Sequence, residues 1–172
     1  VVQFEEEIAR FTGSNHAVAV VNGTAALHIS LLVAGVEKQH EVITQPVTFV
    51  ATCNAISYAG AHPVFVDVDR DTMGMSPSAL QKFLETNVFK RNGKAFNKVT
   101  GRIISACVPM HTFGLPCRIE QLKNLCEYWN ISLIEDCAES LGSYANKIHT
   151  GKFSKLGTIS FNGNKIITSS SG

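Results

Sequence analysis

Apolar positions recur along the chain at two spacings. Near the start, Phe4, Ile8 and Phe11 lie three and four apart, the spacing of an amphipathic helix. His16 to Val21 then reads as a buried strand, and Thr24 to Ala34 as a helix with Leu27, Leu31 and Ala34 on one side. The alternation continues. Glu41 to Thr44 reads as a strand, Phe49 to Tyr58 as a helix, Pro63 to Val66 as a strand, and Pro77 to Glu85 as a helix that Ser76 can cap. The polar stretch Lys90 to Lys98 reads as a surface loop. After it, Arg102 to Cys107 is expected to be a strand, and Ile119 to Trp129 a helix with Leu122, Leu125 and Cys126 inward. Ile131 to Ile134 is a further strand, and Gly157 to Phe161 and Ile166 to Thr168 are short strands around a turn at Asn162-Gly163-Asn164.

Short apolar strands alternating with amphipathic helices predict an α/β fold: three α/β/α layers around a mostly parallel sheet. The chain has 172 residues, 45% of them apolar and 17% charged, so it can fill the core of one domain. Both ends look cut, the first inside a helix and the second on Ser169-Ser170-Ser171-Gly172, so residues 1–172 are expected to be one domain of a longer protein. The formal charge is +1, with Lys and Arg scattered, which gives no footprint for nucleic acid or an anionic membrane. The start lacks the basic and apolar regions of a signal peptide, and no apolar run reaches the roughly 18 residues of a membrane helix, so a cytoplasmic protein is expected. Five cysteines without a Cys-x-x-Cys pair read as buried, reduced thiols, and no metal site is expected.

Three distant segments carry chemistry. In Val21-Asn22-Gly23-Thr24-Ala25-Ala26 a strand gives way to a helix, where free N–H groups and the helix dipole favour a phosphate; the same residues also suit an ordinary turn and cap. In Glu135-Asp136-Cys137-Ala138-Glu139 the acidic groups follow a buried strand. Asp136 can pair there with a pyridinium nitrogen, or cap a helix together with Glu139. In Ser160-Phe161-Asn162-Gly163-Asn164-Lys165 a single lysine sits in a small turn, either as a surface charge or, if desolvated, as an amine able to form a Schiff base.

A phosphate cradle, a carboxylate at a strand end and a lysine in a turn are the separate handles of pyridoxal 5′-phosphate (PLP). Asn22 to His28, Thr48 to Thr52, Pro63 to Asp67, Glu135 to Glu139 and Ser160 to Lys165 resemble the DegT/StrS-type PLP-dependent nucleotide-sugar aminotransferases over nearly the whole chain. The resemblance implies the large, PLP-binding domain of the aspartate-aminotransferase-like (fold type I) transferases, with a C-terminal small domain absent. It implies Lys165 as the Schiff-base lysine and proton carrier, Asp136 on the pyridine nitrogen, Glu139 facing the ring oxygen and Phe49 on the ring face. Thr24, Ser160 and the N–H groups of Gly23, Thr24 and Ala25 would hold the phosphate.

Glu139, where many relatives carry Gln, is similar to members that aminate C4 of the sugar. Val108 to Gly114, taken with the two later segments, is similar to the subgroup associated with legionaminic-acid or bacillosamine-type sugars. His111 stands there as a candidate substrate contact, with a structural hydrogen-bonding role the favoured alternative. Thr168 to Ser171 departs from the glycine-rich run usual after the lysine. The implied reaction is reversible amino transfer, with glutamate as donor, to a nucleotide-linked 4-keto-6-deoxy sugar, in a homodimer with shared sites. The rivals are a PLP-dependent sugar dehydratase, in which His replaces the lysine, and a non-catalytic phosphate- or nucleotide-binding domain. A Rossmann dehydrogenase would need more glycines than the one at Gly23.

Overall fold

The computed structural model describes residues 1–169. Helix α1 (Val2–Thr12) ends on Gly13, whose φ of 70° closes it with a left-handed cap. The run 16–21 was expected to be a strand and is not one: no strand pairs with it among the described residues, Val18 and Val21 are 79% and 75% exposed, and the Ala19 N–H is held by Glu5. An apolar run becomes a strand only where a neighbouring strand supplies its hydrogen bonds and a second layer covers it.

The chain then alternates much as its periodicity predicts. Helix α2 (Gly23–Val33) is followed by β1 (Glu41–Thr44), α3 (Val50–Tyr58), β2 (His62–Phe65) and α4 (Pro77–Asn87). Ser76 caps α4 by accepting from the Ala79 N–H, and Pro77 starts it, where its missing donor costs nothing. Strand β5 (Ile103–Val108), α5 (Ile119–Trp129), β6 (Ser132–Asp136) and β9 (Leu156–Thr158) complete the main pattern. Between β6 and β9 lies a small antiparallel ribbon of β7 (Tyr144–Ala145) and β8 (Ile148–His149).

Two further expectations are corrected. The stretch 90–98 is a hairpin, β3 (Val88–Arg91) and β4 (Lys94–Asn97), turning at Asn92 and Gly93 with φ of 51° and 74°. Asn-Gly is the pair that a tight hairpin turn demands. Ile166 to Thr168 is not a strand, and Ile166 and Ile167 stand 60% and 57% exposed. The serine run is described only as far as Ser169; Ser170, Ser171 and Gly172 lie outside the described residues.

Strands β2, β1, β5, β6 and β9 run parallel and side by side in that order. Strand β4 meets the start of β5 antiparallel at Ile103 and Ile104, and β6 takes over that edge from Ala106. Leu27, Leu31, Ala55 and Ile56 of α2 and α3 pack on one sheet face with Val42, Val108 and Ile134. Leu80, Leu84, Ile119, Leu122 and Cys126 of α4 and α5 pack on the other with Ile43, Ile104 and Cys107. Each fully buried Leu, Ile or Val among them contributes about 1.5–3 kcal/mol relative to exposure. The result is the expected three-layer arrangement, and the carboxyl ends of β1, β5, β6 and β9 all open on one edge. Chain order reverses between β1 and β5, the kind of point at which open α/β sheets bind ligands.

Candidate active site

Asp136 is the last residue of β6 and is 2% exposed. Its Oδ2 accepts from the Thr52 hydroxyl at 2.8 Å and its Oδ1 from the Ala138 N–H at 3.2 Å. Burial pushes its pKa up; the Thr52 and Ala138 hydrogen bonds and the charge of Lys165 oppose that rise. Among the described residues no helix follows Asp136, so the alternative role of a helix cap lapses. Two acceptor positions of a four-position carboxylate remain after Thr52 and Ala138.

Lys165 returns to this edge from the segment beyond β9. Its Nζ lies 3.3 Å from Glu139 Oε1 and 5.9 Å from the centre of the Phe49 ring, with its side chain only 11% exposed. It is therefore a lysine held by a carboxylate and an aromatic face, not a free surface charge. Glu139 Oε2 in turn accepts from the Phe113 N–H at 2.9 Å. Phe113 has φ of 53°, a strained position for a bulky residue of the kind that collects at working sites.

The third group forms where α2 begins. A Cβ added at Gly23 would stand 3.0 Å from Ser160 Cβ and 3.2 Å from Ser160 Oγ, so any larger residue would press on Ser160, which would have to give by a few tenths of an ångström. Asn22 caps α2 by accepting the Ala25 N–H at 2.9 Å. That N–H, expected among the phosphate donors, is already engaged, which leaves Gly23 and Thr24 as first-turn N–H groups beside Ser160.

A model of the DegT/DnrJ/EryC1/StrS aminotransferases matches residues 1–172. The chain belongs to this family. EpsN of Bacillus subtilis strain 168 is 41% identical over 169 residues, covering 98% of this chain and 41% of that protein. The GDP-perosamine synthase of Escherichia coli O157:H7 is 38% identical over 170 residues, covering 99% and 42%. The crystal structure of a DegT DnrJ EryC1 StrS aminotransferase from Brucella abortus superposes with a TM-score of 0.85 at 30% identity, covering 95% of this chain and 42% of that one. The chain thus spans about two fifths of the length of the curated relatives it matches.

The family's cofactor is PLP, and the residues of this member fit it. The Gly23–Ser160 approach is a cradle that a Cβ would fill. A buried carboxylate with acceptor positions to spare suits a ring N–H, and Lys165 is an amine within electrostatic reach of that carboxylate. Gly23, Thr24, Phe49, Asp136, Glu139, Ser160 and Lys165 all belong to segments that meet at this edge.

His111 adjoins Asp136 through the backbone, its N–H donating to the Asp136 carbonyl at 3.1 Å, but its imidazole bonds other partners. It is fully buried, with Nδ1 accepting from the Cys117 N–H at 3.2 Å and Nε2 facing Glu135 Oε2 at 3.1 Å. These are the contacts of a structural hydrogen-bonding group. His111, Glu135 and Cys137 each bring one atom of metal-ligand type within 4.8 Å of the others. Both His111 nitrogens and both Glu135 oxygens are engaged in hydrogen bonds, so the cluster acts as a brace beneath the site.

Three residues not anticipated from the sequence support the site. Thr52 bonds Asp136, and Glu135 gathers Gly151, Ser154 and His111. Gln45, fully buried just after β1, donates to Val47 and Met73 carbonyls and to Thr112 Oγ1, and accepts from the Met75 and Met110 N–H groups. The available signal was a polar residue directly after an apolar strand, as in Thr44-Gln45 and Ile134-Glu135.

Proposed function

We propose that residues 1–172 are the cofactor-binding domain of a PLP-dependent aminotransferase that moves an amino group from glutamate to C4 of a nucleotide-linked 4-keto-6-deoxy sugar. The observation that carries this reading is the convergence of Lys165, Glu139 and the buried Asp136 at one sheet edge. When bound, PLP supplies an aldehyde and a ring that withdraws electrons. Lys165 is the amine for that aldehyde and the group that moves the proton. Glu139 orients the Lys165 amine through its 3.3 Å contact. Asp136 holds the ring nitrogen protonated, Phe49 covers one ring face, and Gly23, Thr24 and Ser160 grip the phosphate.

A lysine at position 165 favours amino transfer over dehydration, for which a histidine is expected there. Family membership and the 38% identity to a GDP-perosamine synthase support a nucleotide-linked sugar as acceptor. Glu139 is the residue from which amination at C4 is inferred.

The reading extends to a homodimer with shared sites and a cytoplasmic location. The first is supported by apolar side chains left exposed around the site, Val21 at 75%, Phe49 at 63% and Val50 at 58%. The second is supported by five free thiols, as a reducing compartment maintains them. The test supplies the full-length protein with PLP, a nucleotide-linked 4-keto-6-deoxy sugar and ¹⁵N-glutamate, and follows the sugar by mass spectrometry. A ¹⁵N-labelled amino sugar is expected with wild type and none with Lys165→Ala; equal behaviour of the two proteins would sink the proposal.

A further inference from the structure

The segment Thr48 to Thr52 carries more than the Phe49 ring. Thr52 is 1% exposed, and its hydroxyl lies 2.8 Å from Asp136 Oδ2. Thr48 Oγ1 lies 3.0 Å from Thr52 Oγ1 and 3.3 Å from Met110 Sδ. Each hydroxyl has one proton, and an ionised carboxylate only accepts. Thr52 therefore donates to Asp136, which leaves its oxygen free to accept, and Thr48 donates to Thr52 in preference to the weak thioether acceptor. The two O–H dipoles line up toward one carboxylate oxygen, an arrangement in which each strengthens the next. Thr48 stands just before Phe49, the N-cap of α3, and Thr52 lies in the first turn of that helix, so the entry of the chain into α3 brings the two hydroxyls together.

We propose that Thr52, oriented by Thr48, is a positioning residue that keeps the Asp136 carboxylate ionised and aimed at the ring nitrogen of PLP. The inference rests on the reading of Asp136 as the partner of that nitrogen. Its physical need is plain. Burial favours the protonated acid, which cannot hold a pyridinium, so the ionised form depends on donors fixed in place. The titratable groups around Asp136 are His111, from the segment after β5, Lys165, from the segment after β9, and Glu135, Cys137 and Glu139 on its own segment. Of the two hydrogen bonds to its carboxylate, the Ala138 N–H comes from that same segment. The Thr52 hydroxyl ties it to a different layer, the one that also carries Phe49. The N-cap and first turn of α3 thus set both the ring face and the ring-nitrogen partner.

The experiment titrates PLP into the cofactor-free full-length protein across a pH series, following the cofactor's absorbance. It compares wild type with Thr52→Val, Thr52→Ser and Asp136→Asn. Thr52→Val keeps the side-chain shape and removes the donor; it is expected to weaken PLP binding about tenfold, the weight of a hydrogen bond to a charged group. It is also expected to move the acid limb of the binding profile to higher pH, because losing a donor to the ionised form raises the Asp136 pKa. Thr52→Ser restores both affinity and profile. Wild-type affinity and profile in Thr52→Val would overturn the proposal, and so would a Thr52→Ser protein as impaired as Thr52→Val, since the methyl and not the hydroxyl would then matter. If Asp136→Asn binds PLP like wild type, the reading of Asp136 itself falls. If Asp136→Asn is weakened and Thr52→Val is not, only the present inference falls. Should circular dichroism show Thr52→Val unfolded, Thr48→Val decides: weakened binding supports the chain of donors, and wild-type binding overturns it.

Discussion

Replacing Glu135 by Gln tests whether the support beneath the site is electrostatic. Glu135 is fully buried; its Oε1 accepts from the Ser154 N–H at 2.8 Å and the Ser154 hydroxyl at 2.9 Å, and its Oε2 from the Gly151 N–H at 2.8 Å and His111 Nε2 at 3.1 Å. The amide has one acceptor oxygen and one NH₂. With the NH₂ toward Gly151 and His111, it faces two N–H donors. With the NH₂ toward Ser154, the hydroxyl can accept from it and send its own proton to the Leu156 carbonyl 2.8 Å away. Only the Ser154 N–H then lacks an acceptor, so the second orientation is preferred. One orphaned buried N–H and the loss of charge assistance in the remaining bonds cost about 2–4 kcal/mol.

The pH dependence follows with a definite sign. Burial alone would raise the Glu135 pKa, but the His111 contact and the Gly151 and Ser154 N–H groups outweigh it and hold the pKa below its ordinary 4.5. A depressed folded-state pKa contributes stability that is present at neutral pH and lost as pH falls through the folded value. The difference between wild type and Glu135→Gln is therefore full at pH 7 and closes as pH falls below 4.5. Denaturant unfolding of the full-length protein measures it, and amide exchange at Gly151 and Ser154 localises it. A difference under about 1 kcal/mol at pH 7, or one that does not change with acidification, would refute the reasoning.

Gly23→Ala is expected to lower PLP affinity about tenfold with little loss of fold stability, since the added Cβ meets Ser160 but alanine suits a helix start; unchanged affinity in a PLP titration would remove the cradle. Asp136→Asn is expected to stabilise the cofactor-free protein at neutral pH. The raised folded pKa of Asp136 means its favourable contribution lies at low pH and is lost as pH rises through that value, so the gain from the amide grows with pH; thermal unfolding at pH 5 and pH 8 checks the slope. Gly157→Ala is expected to cost about 1–3 kcal/mol or more, because its Cβ would fall 2.6 Å from the Gly151 backbone and part β9 from the turn that Glu135 holds; an unchanged melting temperature would contradict this.

The layers were legible in the sequence because α2 to α5 and the parallel strands bury faces with a regular period, and caps such as Ser76 mark their starts. Val18 and Val21 misled because an apolar run announces burial without stating whether a neighbouring strand exists. The 88–97 hairpin was hidden by its lysines and arginine, although Asn92-Gly93 was a usable turn signal. At the site, the residues proposed to hold the cofactor stand in short contiguous motifs, which is why a sequence can suggest them. Thr52, Glu135 and Gln45 work by bonding segments 16 to 84 residues away, for example Glu135 to Gly151 and Thr52 to Asp136, and such partners exist only after folding.

The most direct test of the account maps where the cofactor attaches. The full-length protein is incubated with PLP, reduced with borohydride, digested and sequenced by mass spectrometry. The account predicts a single stable phosphopyridoxyl label on Lys165, lost in Lys165→Ala. A label on another lysine, or one that persists undiminished in Lys165→Ala, would contradict it.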